Sequence, residues 1–215
     1  MQLNKDVCDI AVTTKGEIFV TGDKNIKKYL QDESCIKIAD TNLYNTRGLC
    51  HTSIQDEFLV CLHNGYDNES KVVRMTTAGQ IKQTIKKTNI NNPWCVAENI
   101  NEDVVVMDSY STIVVVNKKG EYRYKYPGSS HSSHMIGGCY GIACDNTGCI
   151  LVCDYYNNRI HQIDMDCRFI QFILTQQHGV QIPMGLSIDN KGQLWLCNND
   201  GKEVTIYKYR SSRLE

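Results

Sequence analysis

The chain has 215 residues, with 23 Lys and Arg against 24 Asp and Glu and a formal net charge of −1. Hydrophobic residues make up 41% and charged residues 22%, which is ordinary for a globular domain. The near-neutral charge argues against a broad basic surface for nucleic acid, and no apolar run is long enough for a membrane helix.

Short β-branched runs follow one another from the N-terminus onward, which predicts strands. Examples are residues 17–20, 104–107 and 113–116. No stretch keeps the apolar spacing of a substantial helix. Hairpin turns that end in Gly, the residue that tolerates positive φ, separate the runs. These turns are residues 13–16, 76–79, 117–120, 145–148 and 189–192.

The same arrangement returns every forty to fifty residues. When Ile10, Leu49, Val96, Ile142 and Leu186 are taken as equivalent anchors, the gaps are 39, 47, 46 and 44 residues. A repeat of this length built from short strands is typical of a β-propeller. We predict a single all-β domain over residues 1–215 with five recognisable blades of four antiparallel strands. The predicted blades are at about 7–40, 47–86, 93–127, 139–175 and 183–210.

One unit resembles a known family repeat. Residues 141–143 read Gly-Ile-Ala, Asp145 and Gly148 follow, and then come Val-Cys-Asp at 152–154 and Asn-Asn-Arg-Ile at 157–160. This pattern resembles the NHL repeat. The chain as a whole is similar to the C-terminal propeller of tripartite-motif (TRIM) proteins, especially the molluscan and other invertebrate members. Residues 94–103, 150–154 and 204–209 carry that second resemblance.

The resemblance implies a role in target recognition. In that family an N-terminal RING, B-box and coiled coil precede the propeller, the RING transfers ubiquitin and the propeller selects the target. This chain contains no paired CxxC zinc framework, so we expect a protein-interaction module in the cytoplasm that is not itself an enzyme.

The resemblance also implies six blades, whereas five anchors are present. The last unit offers no clear fourth strand. Residues 2–7 could pair with residues 204–209 and close a five-bladed ring. Alternatively, the chain is an arc of a six-bladed ring whose open edges allow self-association, and this second interpretation is favoured.

Cysteine and histidine do not form a recognisable catalytic or metal motif. The eleven Cys are interpreted as free thiols in a reducing compartment, since no signal peptide precedes them. The spacing of Cys139, Cys144, Cys149 and Cys153 does not match a zinc site. We therefore predict no catalytic residue, no metal and no cofactor. Trp94 and Trp195 are predicted to be core residues.

The loops between the second and third strands of each unit are the predicted binding surface. Tyr and Arg are the side chains that most often anchor protein interfaces. The predicted partner-binding residues are Tyr66, Tyr110, Tyr155, Tyr156 and Arg159. The partner is predicted to be a protein, either a ubiquitination target or an adaptor.

Two alternatives remain open. Some TRIM–NHL propellers bind RNA, and a locally basic face is compatible with a neutral total charge. A lactonase-like hydrolase would use a ring of carboxylate and amide ligands around a metal, and Asp108, Asp154 and Asn198 occupy equivalent positions in three units. Repeated residues of this kind more often bind loop backbone.

Overall fold

The computed structural model describes residues 7–22, 24–32, 34–52, 56–65, 69–85, 90–109, 111–127 and 136–209. Within these ranges the protein consists of β-strands and one short 3-10 helix at Gln176–His178. None of the described helices is long and apolar enough to cross a membrane. The strands are β1 Asp9–Val12, β2 Ile18–Gly22, β3 Asn25–Tyr29, β4 Cys35–Asp40, β5 Asn45–His51, β6 Glu57–His63, β7 Lys71–Thr76, β8 Ile81–Ile85, β9 Pro93–Glu98, β10 Val104–Asp108, β11 Thr112–Val116, β12 Tyr122–Pro127, β13 Ile142–Cys144, β14 Ile150–Asp154, β15 Arg159–Ile163, β16 Phe169–Leu174, β17 Gly185–Ile188, β18 Gln193–Asn198 and β19 Glu203–Lys208.

The strands form five antiparallel sheets in chain order, which confirms the predicted all-β propeller fold with five blades. Four sheets have four strands, β1–β4, β5–β8, β9–β12 and β13–β16, and the fifth has three, β17–β19. The described residues divide into two compact units, 1–98 and 99–215, and the boundary falls after β9. A single domain over the whole chain stays a prediction, as does the number of blades in a complete ring.

In several hairpin turns, the side-chain oxygen of the first residue accepts two backbone N–H groups of the same turn. Asp145 Oδ1 accepts the N–H groups of Thr147 and Cys149, at 2.8 and 2.9 Å, and Gly148 closes the turn at φ 91°. The turns that begin at Asn117, Asp164 and Asp189 repeat this arrangement. Cys167 takes the glycine position of the turn that begins at Asp164, at φ 62°, a conformation that costs a non-glycine residue some strain.

Small residues allow consecutive blades to approach each other closely. A Cβ atom on Gly141, just before β13, would lie 2.8 Å from Gly185 Cα and 3.0 Å from the carbonyl oxygen of Met184. Within the first unit, a Cβ on Gly48 of β5 would lie 2.7 Å from Cys95 Cα of β9. Such distances are available only to glycine, so these positions fix how near the first strands of neighbouring blades can lie.

The core lies between blades. Leu151 and Cys153 of β14 pack in one cluster with Leu194 and Leu196 of β18, and all four are fully buried. In the first unit, Phe19 of β2 packs against Phe58 of β6 with ring centroids 4.6 Å apart. All eleven cysteines are free thiols, and Cys61, Cys139, Cys153 and Cys167 are buried. The prediction that Trp195 is a core residue is wrong, because its side chain is 40% exposed.

Replacement of Gly141 by Ala should destabilise the protein by about 1–3 kcal/mol, because the new methyl group would collide with backbone that cannot move freely. Gly185→Ala is the matched control, since its Cβ would lie 3.7 Å from Cys197 Cβ, an ordinary contact. Urea unfolding measures both. Equal stability of the two variants would contradict the close-approach role of Gly141.

A buried carboxylate links the first strands of blades one and two. The Asp9 carboxylate accepts the N–H of Leu49 and the N–H of the next residue, Ile10, both at 2.8 Å. Burial raises the pKa of Asp9 to about 6, and the two backbone hydrogen bonds lower it only in part. The folded protein therefore binds this proton more tightly than the unfolded chain does.

The free energy of unfolding should consequently fall as the pH rises from about 4 to about 6, because Asp9 loses its proton while it is buried. Asp9→Asn keeps an oxygen acceptor and removes the charge, so this variant should melt at a higher temperature than the wild type at pH 7. Asp32→Asn should not, because hydrogen bonds from Ser34 lower the pKa of Asp32. A lower melting temperature for Asp9→Asn at pH 7 would refute this assignment.

Candidate interaction surface

A fully buried carboxylate ends β14. Asp154 Oδ1 accepts the Gly137 N–H at 2.8 Å and the Asn157 amide at 2.9 Å. Its Oδ2 accepts the Arg159 Nε–H at 2.8 Å and lies 2.9 Å from His161 Nε2. The carboxylate is therefore surrounded by four donor groups, two from β15, one from the β14–β15 loop and one from the segment before β13.

These donors decide the charge state of Asp154. Burial alone would raise its pKa, but the hydrogen bonds from His161, Arg159, Asn157 and Gly137 together outweigh burial and hold the pKa below its usual 3.8. Asp154 is therefore an anion at neutral pH and binds its four donors in charge-assisted hydrogen bonds.

The two β15 side chains continue the cluster inward. The His161 ring, which is 0% exposed, has Nδ1 3.2 Å from the Tyr126 hydroxyl and contacts the Phe172 ring edge-on. Since the Asp154 carboxylate only accepts, His161 Nε2 carries a hydrogen and donates it to Asp154. The Arg159 guanidinium lies 4.1 Å from the centre of the Phe172 ring.

Tyrosine rings cover the outer side of this cluster. Tyr156 is 68% exposed, and its ring lies against Gly138, where a Cβ would be 2.9 Å from Tyr156 Cδ2 and Cε2. A Cβ on Gly137 would lie 2.9 Å from Tyr156 Cβ. The Tyr155 N–H donates to the Gly138 carbonyl oxygen at 2.7 Å. Ring centroids of Tyr140, Tyr155 and Tyr156 follow one another at 4.9 Å. We call Tyr140, Tyr155 and Tyr156 the tyrosine surface.

The neighbouring loop of blade five supports the same surface. The Tyr155 hydroxyl donates to Asp200 Oδ1 at 3.3 Å, and Asn158 Oδ1 accepts the Ile182 N–H at 2.7 Å. The β14–β15 loop is thus attached to blade five on one side and to Gly138 on the other. Contacts within the chain therefore hold the β14–β15 loop in this conformation.

The predicted binding residues have separate positions in the fold. The structure brings Tyr155 and Tyr156 together on the exposed loop. Arg159 is turned inward, with 18% of its side chain exposed, and its described contacts are to Asp154 and Phe172. Tyr66 and Tyr110 lie outside the described residues. Sequence reasoning missed Tyr140 and the pair Gly137–Gly138, although two consecutive glycines before a strand can indicate a close approach of other groups.

The repeated polar residues at the ends of the second strands hold loops. Asn198, equivalent to Asp154, accepts the Gln181 N–H at 2.8 Å and donates to the Gly179 carbonyl oxygen at 2.9 Å. Asp154 binds Gly137 at the same separation of seventeen residues. Among the described residues, no group of three His, Cys, Asp or Glu side chains has the arrangement of a metal site. Asp154 and Asn198 both bind loop backbone in this structure.

The fold is shared with several solved β-propellers. The streptogramin B lyase structure is 15% identical with a TM-score of 0.70, and the alignment covers 98% of this chain and 72% of that one. The luciferin-regenerating enzyme is 12% identical with a TM-score of 0.71, covering 94% and 73%. A nidogen/laminin complex is 13% identical with a TM-score of 0.61, covering 89% of each chain. No protein-family model matches the sequence. A search of curated proteins finds no match either.

The prediction that the chain is not an enzyme is wrong, because its fold is also found in enzymes. The same fold occurs in a lyase and in a luciferin-regenerating enzyme, so a propeller with these blades is compatible with catalysis. Identities of 12–15% show the fold alone and carry no reaction over to this chain. None of these three structures is described as an NHL or TRIM protein, so the resemblance to that family stays a prediction.

Arg159→Ala should lower the free energy of unfolding by about 1–3 kcal/mol, because it removes a donor from a buried anion. Arg168→Ala is the control, since that side chain is 77% exposed and its ion pair with Asp166 measures 3.8 Å. Thermal melting at pH 7 compares the two variants. If Arg159→Ala melts like the wild type, Arg159 is not a positioning residue for Asp154.

Proposed function

We propose that this chain is a protein-recognition module and that its partner binds the tyrosine surface of blade four. One observation carries the proposal: Tyr156 is 68% exposed, yet its ring packs against Gly138 and against the Tyr155 ring, 4.9 Å between ring centroids. An exposed aromatic ring that the fold has already positioned loses little conformational entropy when a partner covers it.

The chemistry of the surface supports a protein partner. Tyrosine offers a large apolar ring and a hydroxyl, and it is enriched at the centres of protein interfaces. Asp200 adds a carboxylate at the edge of the surface, 3.3 Å from the Tyr155 hydroxyl. A partner segment with an apolar side chain flanked by a hydrogen-bond donor or a positive charge fits this combination.

More specifically, we propose that this protein-recognition module selects targets as TRIM propellers do. The NHL-like residues at 141–160 support this assignment. A propeller of similar fold is also present in a nidogen/laminin complex, which is an assembly of proteins. Ubiquitin transfer would then depend on a RING that this sequence does not contain.

RNA is the competing ligand, and the geometry favours protein. A single-stranded RNA site combines stacking rings with cations that contact phosphate. At the tyrosine surface, Arg159 is paired with Asp154 at 2.8 Å, and the Tyr155 hydroxyl donates to the Asp200 carboxylate, a group that would repel phosphate.

The test is affinity capture with the immobilised chain, with and without RNase, followed by identification of the bound proteins and a binding isotherm for each purified one. Tyr156→Ser should weaken the binding of a true partner at least tenfold while the melting temperature stays the same, because the ring contributes mainly exposed area. Tyr122→Ser is the matched control, since Tyr122 is also exposed, at 47%, but lies on β12.

Equal loss of binding in both tyrosine variants would show that the tyrosine surface is not the site. Capture that RNase abolishes, together with sub-micromolar RNA binding that weakens steeply with salt, would replace the protein proposal with the RNA alternative.

A further inference from the structure

The last strand of the described fold exposes positions that other blades bury. The β14–β15 and β18–β19 registers align Arg159 with Glu203, so Val204 of β19 is equivalent to Ile160 of β15. Ile160 is 0% exposed, whereas Val204 is 64% exposed. Two residues along, Ile206 is 47% exposed and its equivalent Gln162 is 2% exposed.

The neighbouring strand extends this apolar face. Trp195 of β18 is the Cα partner of Ile206, and its ring is 40% exposed. The Trp195 Nε1–H donates to Asp189 Oδ2 at 3.1 Å, which fixes the ring on the sheet. Leu194 and Leu196, which point to the opposite side, are packed against blade four. One side of blade five is therefore covered and the other presents Trp195, Val204 and Ile206.

The edge of the same sheet is also open among the described residues. Each of the other four sheets has a fourth strand, whereas β19 is the outermost described strand of its sheet. The backbone N–H and C=O groups along such an edge can pair with another strand. In β16, the outermost strand of blade four, the one exposed side chain is the polar Gln171.

The sequence of β19 complements itself in the antiparallel direction. A two-fold axis perpendicular to the sheet and midway between the two facing Thr205 residues would place Val204 of one copy opposite Ile206 of the other, and the reverse. All four β-branched side chains would then lie on one face as two cross-strand pairs. The formal net charge of −1 provides little long-range repulsion between copies.

From these observations we propose that two copies of the chain associate through antiparallel pairing of their β19 strands. The pairing joins the two three-stranded sheets into one sheet of six strands, gives the β19 edges hydrogen-bond partners, and places Val204 and Ile206 of the two copies side by side. This association is isologous, so it closes at a dimer. It does not depend on the tyrosine surface.

Light scattering coupled to size-exclusion chromatography tests the proposal over about 1–100 µM protein, because association depends on concentration. The wild type should approach twice the chain mass of 24.5 kDa at the upper end. The double variant Val204→Lys/Ile206→Lys should remain a monomer with an unchanged melting temperature, because both side chains are exposed. Ile81→Lys should still dimerise, since Ile81 is likewise an exposed apolar residue, at 53%, but lies on β8.

Amide hydrogen exchange gives an independent readout, because the outward-facing N–H groups of β19 should exchange more slowly as the wild type dimerises. A wild type that stays monomeric at the highest concentration overturns the proposal. If its β19 amides then exchange slowly, the edge is occupied from within the chain; if they exchange rapidly, it is unoccupied. A dimer that survives the double Lys substitution, or that Ile81→Lys abolishes, also overturns it.

Discussion

The tyrosine surface of blade four depends on one interaction, the buried anion of Asp154 with its four donors. A carboxylate without solvent is costly unless donors surround it, and here four donors do so. Those donors come from β15, the β14–β15 loop and the segment before β13, so one side chain fixes three pieces of backbone. The glycines against which Tyr156 packs belong to the last of these pieces. The buried Asp154 carboxylate thus positions the backbone segment against which Tyr156 packs.

The spacing between blades is a second constraint, and glycines at the contacts between first strands set it. Gly141 lets the first strand of blade four lie against that of blade five, and Gly48 does the same between β5 and β9 in the first unit. Close approach of these strands leads to the dry cluster of Leu151, Cys153 and Leu194. Tight packing of this kind transmits position from one loop to the next, as the contact between Tyr155 and Asp200 illustrates.

The fold could be read from the sequence because its signals are local and repeated. Turn residues such as Asp145 and Gly148 specify hairpins through backbone geometry alone, and their recurrence gives the blade count. The role of Asp154 as a loop-binding residue followed from the same repetition. The direction of Arg159 could not be predicted, because whether a loop cation faces solvent or a buried anion depends on contacts between strands. Trp195 was misassigned for a similar reason: alternation along β18 does not reveal which side of the sheet another blade covers.

Amide hydrogen exchange at the tyrosine surface tests the central claim most directly, namely that Asp154 holds this surface rigid before any partner binds. The Gly137 and Tyr155 amides donate to Asp154 Oδ1 and to the Gly138 carbonyl oxygen, so both should exchange slowly in the wild type. In Asp154→Asn, which lacks the charge that attracts four donors, both should exchange at least tenfold faster, while amides of β18 keep their protection. Rapid exchange of Gly137 and Tyr155 in the wild type would contradict the account.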